Sequence, residues 1–547
     1  MTDTAITPAP PPRSRLPAHL SPPAGKRSAR TPWQVWLPPA ALALLLGIWG
    51  LEREQTMWSD EVVTYDMATR SLPEIWRTLG TADAVHGLYY LLMHAVFTAG
   101  EPGLVPLRLP SLLATAASAA FVARIGLRLA GPRAGALSGL ALALLPVVQR
   151  YAQEGRSYAL VSALVTWATL LLLERRWRAY ALVLLVACLL HEFAVLVLLA
   201  HGAALWFGRS PGLVRPPRQW LRAASAVVAG LLPLALFSMT QSAQVAWIEP
   251  PSAQKLTRFA VLVFAGLVCA VLPGGSRTRA LALPLLILPP GLLIAVSFLH
   301  PLYSERYVLF HTIGLALLLG AVLDHYGSRL AAAGATTAVL LHLTVTGPEL
   351  RSPESRSDNA MAVTEAIERL ARPGDAVLFL TAQRRVWTLA PDGSLPGLFD
   401  LSLDRSPRAS NTLYGTEAAP TVVRKRLLSH TGRVLAVGNP SAAQRGETPS
   451  DRVKRDVLDR HYQLVEERPA GRERIGVYAR IDHSATGRPA PPRTRPAGRS
   501  STPGTARLVP ALPPTEGTSS ARALGTVRVP RLPDPGTRLL ARRFPAP

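Results

Sequence analysis

Residues 33–51 read WQVWLPPAALALLLGIWGL, and after a short polar break residues 57–65 read MWSDEVVTY. The first stretch carries no charged side chain. A bilayer core about 30 Å thick is crossed by about 20 apolar helical residues, so this stretch reads as a membrane helix. The second sets an acidic pair, Asp60-Glu61, just past that helix. Upstream, residues 1–32 are Pro-rich and basic, a disordered N-terminal segment by composition. The flank Glu52-Arg53-Glu54-Gln55 lacks a small-residue cleavage motif, so the helix is expected to stay uncleaved.

The same reading repeats along the chain. Apolar runs at 108–129, 133–149, 157–173, 221–239, 258–273, 279–298, 307–323 and 329–346 each suit one crossing. Residues 178–207 read as two short helices meeting at His191-Glu192. The expectation is an all-α polytopic membrane protein with about eleven transmembrane helices, because helices satisfy every backbone group within the segment. Composition agrees: 49% of residues are hydrophobic and 17% are charged, against roughly 25% charged in soluble domains. The net charge of +24 lies beside apolar segments and in the tails, with no basic face interleaved with aromatics, so nucleic acid is not the expected partner. Cys188 and Cys269 both lie inside apolar runs, which argues against a disulfide framework or a Cys-based zinc site.

Arginine placement orients the chain. Arg13, Arg15, Lys26, Arg27 and Arg30 mark a cytoplasmic N-terminus, and every second loop after it is basic. This alternation holds if the short apolar stretch 87–97 lies in the interface rather than crossing. Residues 52–107, 150–156, 191–192, 240–257, 299–306 and everything after 346 are then extracytoplasmic. The expected domains are 1–32, a transmembrane unit 33–350 with outer loop 52–107, an extracytoplasmic α/β domain 351–482, and a tail 483–547. Within the α/β domain, Asp358–Ala371 and Val453–Arg460 read as helices, and Ala376–Leu380, Val434–Val437 and Gly476–Ile481 as strands. The tail holds 13 Pro and 11 Arg against two acids, a composition that cannot bury a core.

The outer segments carry the ionisable residues. Asp60 and Glu61 have two readings: acids favoured at a helix start behind Ser59 as cap, or a general base whose proton affinity is raised by partial desolvation at the lipid boundary. On the same side lie His86, Tyr89 and Tyr90, then Glu154 and Arg156, His191-Glu192, and Tyr303 with Arg306. Cytoplasmic nucleotide sugars do not reach that side, and the chain has no Gly-rich phosphate loop, H-E-x-x-H or G-x-S-x-G motif. A lipid-carried substrate would supply an activated group from within the bilayer, with Arg306 or Arg156 holding its phosphate.

Trp58-Ser59-Asp60-Glu61, His86-Gly87-Leu88-Tyr89-Tyr90-Leu91-Leu92, Arg108-Leu109-Pro110-Ser111, Tyr151-Ala152-Gln153-Glu154-Gly155-Arg156-Ser157-Tyr158 and Glu305-Arg306-Tyr307 together resemble the family 39 glycosyltransferases of the GT-C fold, nearest to actinobacterial mannosyltransferase-like members with an RgtA/B/C/D-like domain. The resemblance covers about residues 33–350. One departure is His86-Gly87, where many relatives carry Pro-Pro. The resemblance implies inverting transfer of a sugar, mannose first, from a polyprenyl-phosphate donor to a hydroxyl on a protein, lipid or polysaccharide acceptor. Asp60 would be the base, with Glu61 beside it, and Arg306 and Arg156 would hold the donor phosphate. His86, Tyr89, Tyr90, Glu154, His191, Glu192 and Tyr303 would bind substrate, and Asp60, Glu61 and Glu154 are the positions open to a divalent metal. Two other readings compete: a flippase for lipid-linked sugars, and a non-catalytic envelope scaffold.

Overall fold

The computed structural model describes residues 33–481, apart from 53–55, 208–217, 243–247, 274–275, 356–357, 390–394, 396, 439–446 and 472. The expectations for 1–32 and 483–547 therefore lie outside the described residues.

The chain opens with α1 (Trp33–Ile48), then α2 (Ser59–Thr69), α3 (Leu72–Leu79), a helical turn at Ala84–His86, and α4 (Gly87–Ala99). Next come α5 (Leu104–Ala130), α6 (Pro132–Leu144), α7 (Pro146–Ala152), α8 (Tyr158–Leu173) and α9 (Trp177–Leu190). Then follow α10 (Val197–Phe207), α11 (Arg218–Met239), α12 (Ala253–Val271), α13 (Ser276–Ser297), α14 (Thr312–His325), α15 (Ser328–Leu341) and α16 (Gly347–Arg351). Among the described residues, six helical segments are long and apolar enough to cross a membrane: Leu104–Ala130, Arg218–Met239, Ala253–Val271, Thr278–Ser297, Glu305–His325 and Ser328–Arg351. The expected 133–149 helix bends by 65° between α6 and α7, where Pro146 removes a backbone donor. Shorter apolar helices fill the rest, including the pair on either side of His191.

Packing follows the rules of lipid rather than water. Exposed Val261, Phe264, Val268 and Val271 run along one face of α12, a stripe that only a hydrocarbon surrounding makes favourable. Between helices, small residues allow backbones to touch. A Cβ on Gly135 of α6 would lie 2.5 Å from the Ala123 carbonyl oxygen of α5, so a larger residue there would force the two helices apart.

The α/β domain begins with α17 (Ala360–Leu370), followed by β1 (Ala376–Phe379), β2 (Phe399–Asp400), β3 (Leu403–Arg405), α18 (Pro407–Ser410) and β4 (Thr416–Glu417). It closes with α19 (Pro420–Ser429), β5 (Val434–Val437), α20 (Pro449–His461), β6 (Tyr462–Ala470) and β7 (Glu473–Arg480). The main sheet has order β2-β1-β5-β7-β6. β1 is parallel to β2 and β5, whereas β7 is antiparallel to β5 and β6. Alternation sorts its two faces: Val377, Phe379, Leu435 and Val437 pack with α17, while Ala376, Leu378, Val434 and Ala436 pack with Val423 and Leu427 of α19 and Val457 and Leu458 of α20.

Strand β6 was not expected, and neither were β2–β4 nor α19. The domain is fastened to the membrane part through α2 and the turn after α3: Arg70 Nη2 donates to the Thr412 carbonyl at 3.0 Å, Thr81 Oγ1 to the Asn411 carbonyl at 2.6 Å, and Arg408 Nη2 to Thr69 Oγ1 at 2.9 Å. Just before the domain, at the end of α16, Arg351 stacks on Trp49 at 4.5 Å and donates to the Trp49 carbonyl at 2.7 Å. The start of α2 meets the start of α17: Ala360 N–H donates to the Met57 carbonyl at 2.8 Å, and Ser59 Oγ donates to Asp358 Oδ2 at 2.7 Å.

Candidate active site

Where the helices meet the α/β domain they enclose a cavity of ≈ 1480 Å³. Its membrane-side wall comes from the first turn of α2, the turn before α4, the α7–α8 connection, the break after α9 and the segment before α14.

Asp60 sits at this wall with its side chain 27% exposed. Arg306 Nη1 lies 3.2 Å and Arg156 Nε 4.0 Å from Asp60 Oδ2. The Arg306 guanidinium is also cupped by aromatic rings, 5.2 Å from Trp58, 5.6 Å from Tyr158 and 5.6 Å from Tyr307, which hold it without neutralising it.

Arg156 extends the network. Its Nη1 donates to Thr64 Oγ1 at 3.3 Å and to the Tyr90 hydroxyl at 3.4 Å, and its Nη2 lies 2.9 Å from His86 Nε2. A guanidinium only donates, so His86 Nε2 accepts and the ring directs its Nδ1 proton at Asp83 Oδ1, 2.8 Å away. Tyr90 also donates to Asp83. Burial alone would raise the Asp83 carboxyl, but His86, Arg156 and Tyr90 outweigh it and hold the group well below the usual carboxylate range. Burial likewise opposes the charge of Arg156, yet Tyr90, Asp60 and Asp83 keep its guanidinium firmly protonated. His191 packs on Tyr307 at 4.7 Å and on Tyr158 at 5.8 Å. Burial first, then its neighbours His86, Arg156 and Arg306, hold its imidazole well below the ordinary range, so it is neutral.

Seven of the eleven expected residues line the cavity: Asp60, His86, Glu154, Arg156, His191, Glu192 and Arg306. The other four do not. Glu61 is fully buried: it accepts from Arg108 Nε and Nη2 at 2.8 Å each, from Gly155 N–H at 2.9 Å and from Trp58 N–H at 3.4 Å. It ties α2 to α5 and to the α7–α8 connection. Both acids lie in the first turn of α2, and Trp58 rather than Ser59 caps the helix. Tyr89 and Tyr90 are fully buried, Tyr90 within the Asp83–Arg156 network and Tyr89 in the hydrophobic core. Tyr303 is 7% exposed and packed in that core.

The carboxylates suggested for a divalent cation do not fit one. Asp60 faces two guanidinium groups, Glu61 is sealed against Arg108, and among the described residues no group of three or more His, Cys, Asp or Glu side chains could hold a metal ion.

Sequence reasoning missed the far wall. Thr381, Gln383, Arg384, Trp387, Tyr414 and Glu473 of the α/β domain also line the cavity. Only the docked tertiary structure brings them over Asp60. Tyr158 and Tyr307 belong to segments that carry the resemblance but have no expected role there, and Asp83 lies outside those segments.

These features define a multi-pass helical membrane protein with a charged cavity under an α/β cap. No family model matches the chain, and no curated protein matches its sequence. Solved structures do match. ArnT from Cupriavidus metallidurans in the apo state superposes with a TM-score of 0.50 at 14% identity, over 81% of this chain and 97% of that one. ArnT bound to undecaprenyl phosphate gives 0.49 at 14% identity, over 82% and 98%. The arabinofuranosyltransferase AftD from Mycobacteria gives 0.40 at 16% identity, over 82% of this chain and 42% of that one. The likeness to apo ArnT establishes the fold as GT-C, as the resemblance implied.

Proposed function

We propose that this protein is a membrane glycosyltransferase acting on the extracytoplasmic face, where it moves a sugar from a polyprenyl-phosphate donor to an acceptor hydroxyl with inversion. The observation that carries the reading is the meeting of a cavity-facing carboxylate, Asp60, with two guanidiniums, the partly buried Arg306 and the buried Arg156, in a cavity bordered by membrane helices.

The chemistry follows from that triad. The acceptor oxygen attacks the anomeric carbon, and Asp60 takes its proton. The bond from that carbon to the phosphate oxygen breaks, and the lipid phosphate leaves with the electron pair. The departing group is already a stable anion, so the chain needs to supply only positive charge, from Arg306 first and Arg156 second. Without donor, Asp60 is the counter-ion of Arg306. A bound phosphate competes for the same guanidinium and releases the carboxylate to act as base. His86 and Asp83 hold Arg156 in place, and the neutral ring of His191 adds a wall and hydrogen-bonding nitrogens without further charge. Mannose is the first donor to test; arabinose and galactose are the alternatives.

The test uses full-length protein in lipid nanodiscs with radiolabelled polyprenyl-phosphate mannose, arabinose and galactose, plus cell-envelope extract as acceptor. Transfer by the wild type that falls at least 100-fold in Asp60→Asn supports the reading. Transfer that survives the substitution removes Asp60 from the base role. Donor binding without transfer to any acceptor favours a flippase.

A further inference from the structure

The α/β domain presents a second set of groups to the same cavity. From β1 the chain builds outward to β2 on one side and to β5 on the other, with all three strands parallel. In such sheets the crevice at the carboxyl ends of the strands, where the order reverses, is the usual place for a ligand. Here the residues that leave the carboxyl end of β1, Thr381 to Arg384, line the cavity over Asp60.

We propose that this edge of the sheet is a saccharide-binding subsite that holds the acceptor, a neutral glycan, with its hydroxyl toward Asp60. The proposal rests on the glycosyltransferase reading for the word acceptor, but its binding chemistry stands on the residues alone. Trp387, 5% exposed, lines the cavity, and its indole Nε1 has no hydrogen-bond partner among the described residues. A buried donor of this kind is costly unless a ligand satisfies it. Tyr414 brings a second ring. Its phenol is pushed up by burial and then by the charges of Asp83 and Asp60, which puts it within the field of the proposed base.

Arg384 is paired with Glu473 at the start of β7. Arg384 packs against Gly438, just past β5, whose φ of +128° and lack of a Cβ leave room for the guanidinium; a Cβ there would come 2.9 Å from Arg384 Nε. The pair offers a donor and an acceptor side by side with no net charge, which suits adjacent sugar hydroxyls. Gln383 and Thr381 are neutral hydrogen-bonding groups at the same edge. An anionic lipid or phosphorylated peptide would need an uncompensated cation at this edge, and Arg384 is already matched. Two aromatic rings with neutral or self-neutralised polar groups are the chemistry that recognises a sugar ring.

The experiment is saturation-transfer NMR on the full chain in nanodiscs, with methyl glycosides of mannobiose, galactobiose and arabinobiose as probes and a Ser/Thr-rich peptide in parallel. Saturation transfer to a disaccharide in wild type and in Asp60→Asn, weakened at least tenfold in Trp387→Ala and in Gln383→Ala, is the expected result. Each variant is compared only as monodisperse protein, and Gln383→Ala stands in if Trp387→Ala does not fold. In transfer assays the same variants should raise the KM for saccharide at least tenfold and leave the donor KM unchanged. No saccharide signal in the wild type, an undiminished signal in both variants, or transfer to the peptide alone would overturn the subsite. Trp387-dependent saccharide binding with no transfer from any donor would keep the subsite and defeat the glycosyltransferase reading instead.

Discussion

Asp60 and Glu61 are adjacent in the chain, and each faces arginine, yet they sit in different physical regimes. Asp60 opens on the cavity, with Arg306 at 3.2 Å and Arg156 at 4.0 Å. Glu61 points the other way, into a dry seam where both it and Arg108 have side chains 0% exposed. An ion pair at a wet wall can exchange a partner for an incoming phosphate. A sealed pair cannot, because losing one partner strands the other as a bare buried charge. One pair is therefore suited to chemistry and the other to holding α2 in place, and the two are separable by experiment.

The largest contrast should come from Asp60→Asn. Sugar transfer is expected to fall 100- to 10,000-fold, while the loss of thermal stability stays below that of the sealed pair, because Asp60 is 27% exposed at the cavity wall and water reaches the charges it leaves behind. Paired radiolabel and melting measurements check both halves; a stability loss matching that of the sealed pair would erase the distinction. Arg108→Met is the mirror image. It leaves Glu61 buried without its cation and should destabilise the folded state by about 3–5 kcal/mol, read as a large drop in melting temperature. Glu61→Gln with Arg108→Met should recover part of that loss, since the stranded charge is gone. Arg306→Lys comes next in size. Lysine keeps the charge but loses the planar fork, so the donor KM should rise about tenfold, roughly 1.4 kcal/mol, with the melting temperature nearly unchanged.

What the sequence discloses depends on how local the cause is. The helices are legible because hydropathy over 20 residues is a local property, and positive charge in alternate loops groups Asp60, His86, Arg156, His191 and Arg306 on one side from the sequence alone. The structure does bring those five to one cavity. The different surroundings of Asp60 and Glu61 are not legible. Consecutive helical residues point about 100° apart, and which of them meets Arg108 depends on how α2 docks against α5. Tyr89 and Tyr90 are hidden for the same reason: an aromatic pair near an interface reads as a sugar platform, and burial is decided by neighbours far along the chain. Strand β6 escaped because it is an edge strand whose side chains are mostly exposed, so it lacks the continuous apolar run that marks β5. The cavity's far wall, from Thr381 to Glu473, exists only through docking of the α/β domain, and no local pattern announces it.

The last effect concerns protons. His191 is buried against Tyr158, Tyr307 and Phe193, with His86, Asp83, Arg156 and Arg306 nearby. Its folded-state proton affinity is depressed, burial being the main cause. In the unfolded chain it titrates near pH 6.5. Below that pH the unfolded state binds a proton that the folded state refuses, so acid favours unfolding. The contribution is absent above about pH 7 and grows by up to about 1.4 kcal/mol per pH unit below 6.5. Melting temperatures of wild type and His191→Phe between pH 7.5 and 5 test this. The wild type should lose stability on acidification more steeply than the variant, whose ring carries no titrating nitrogen. Parallel curves would mean that His191 takes up its proton in place, and its neutral role beside Arg306 would have to be abandoned even if Asp60 and Glu61 behave as described.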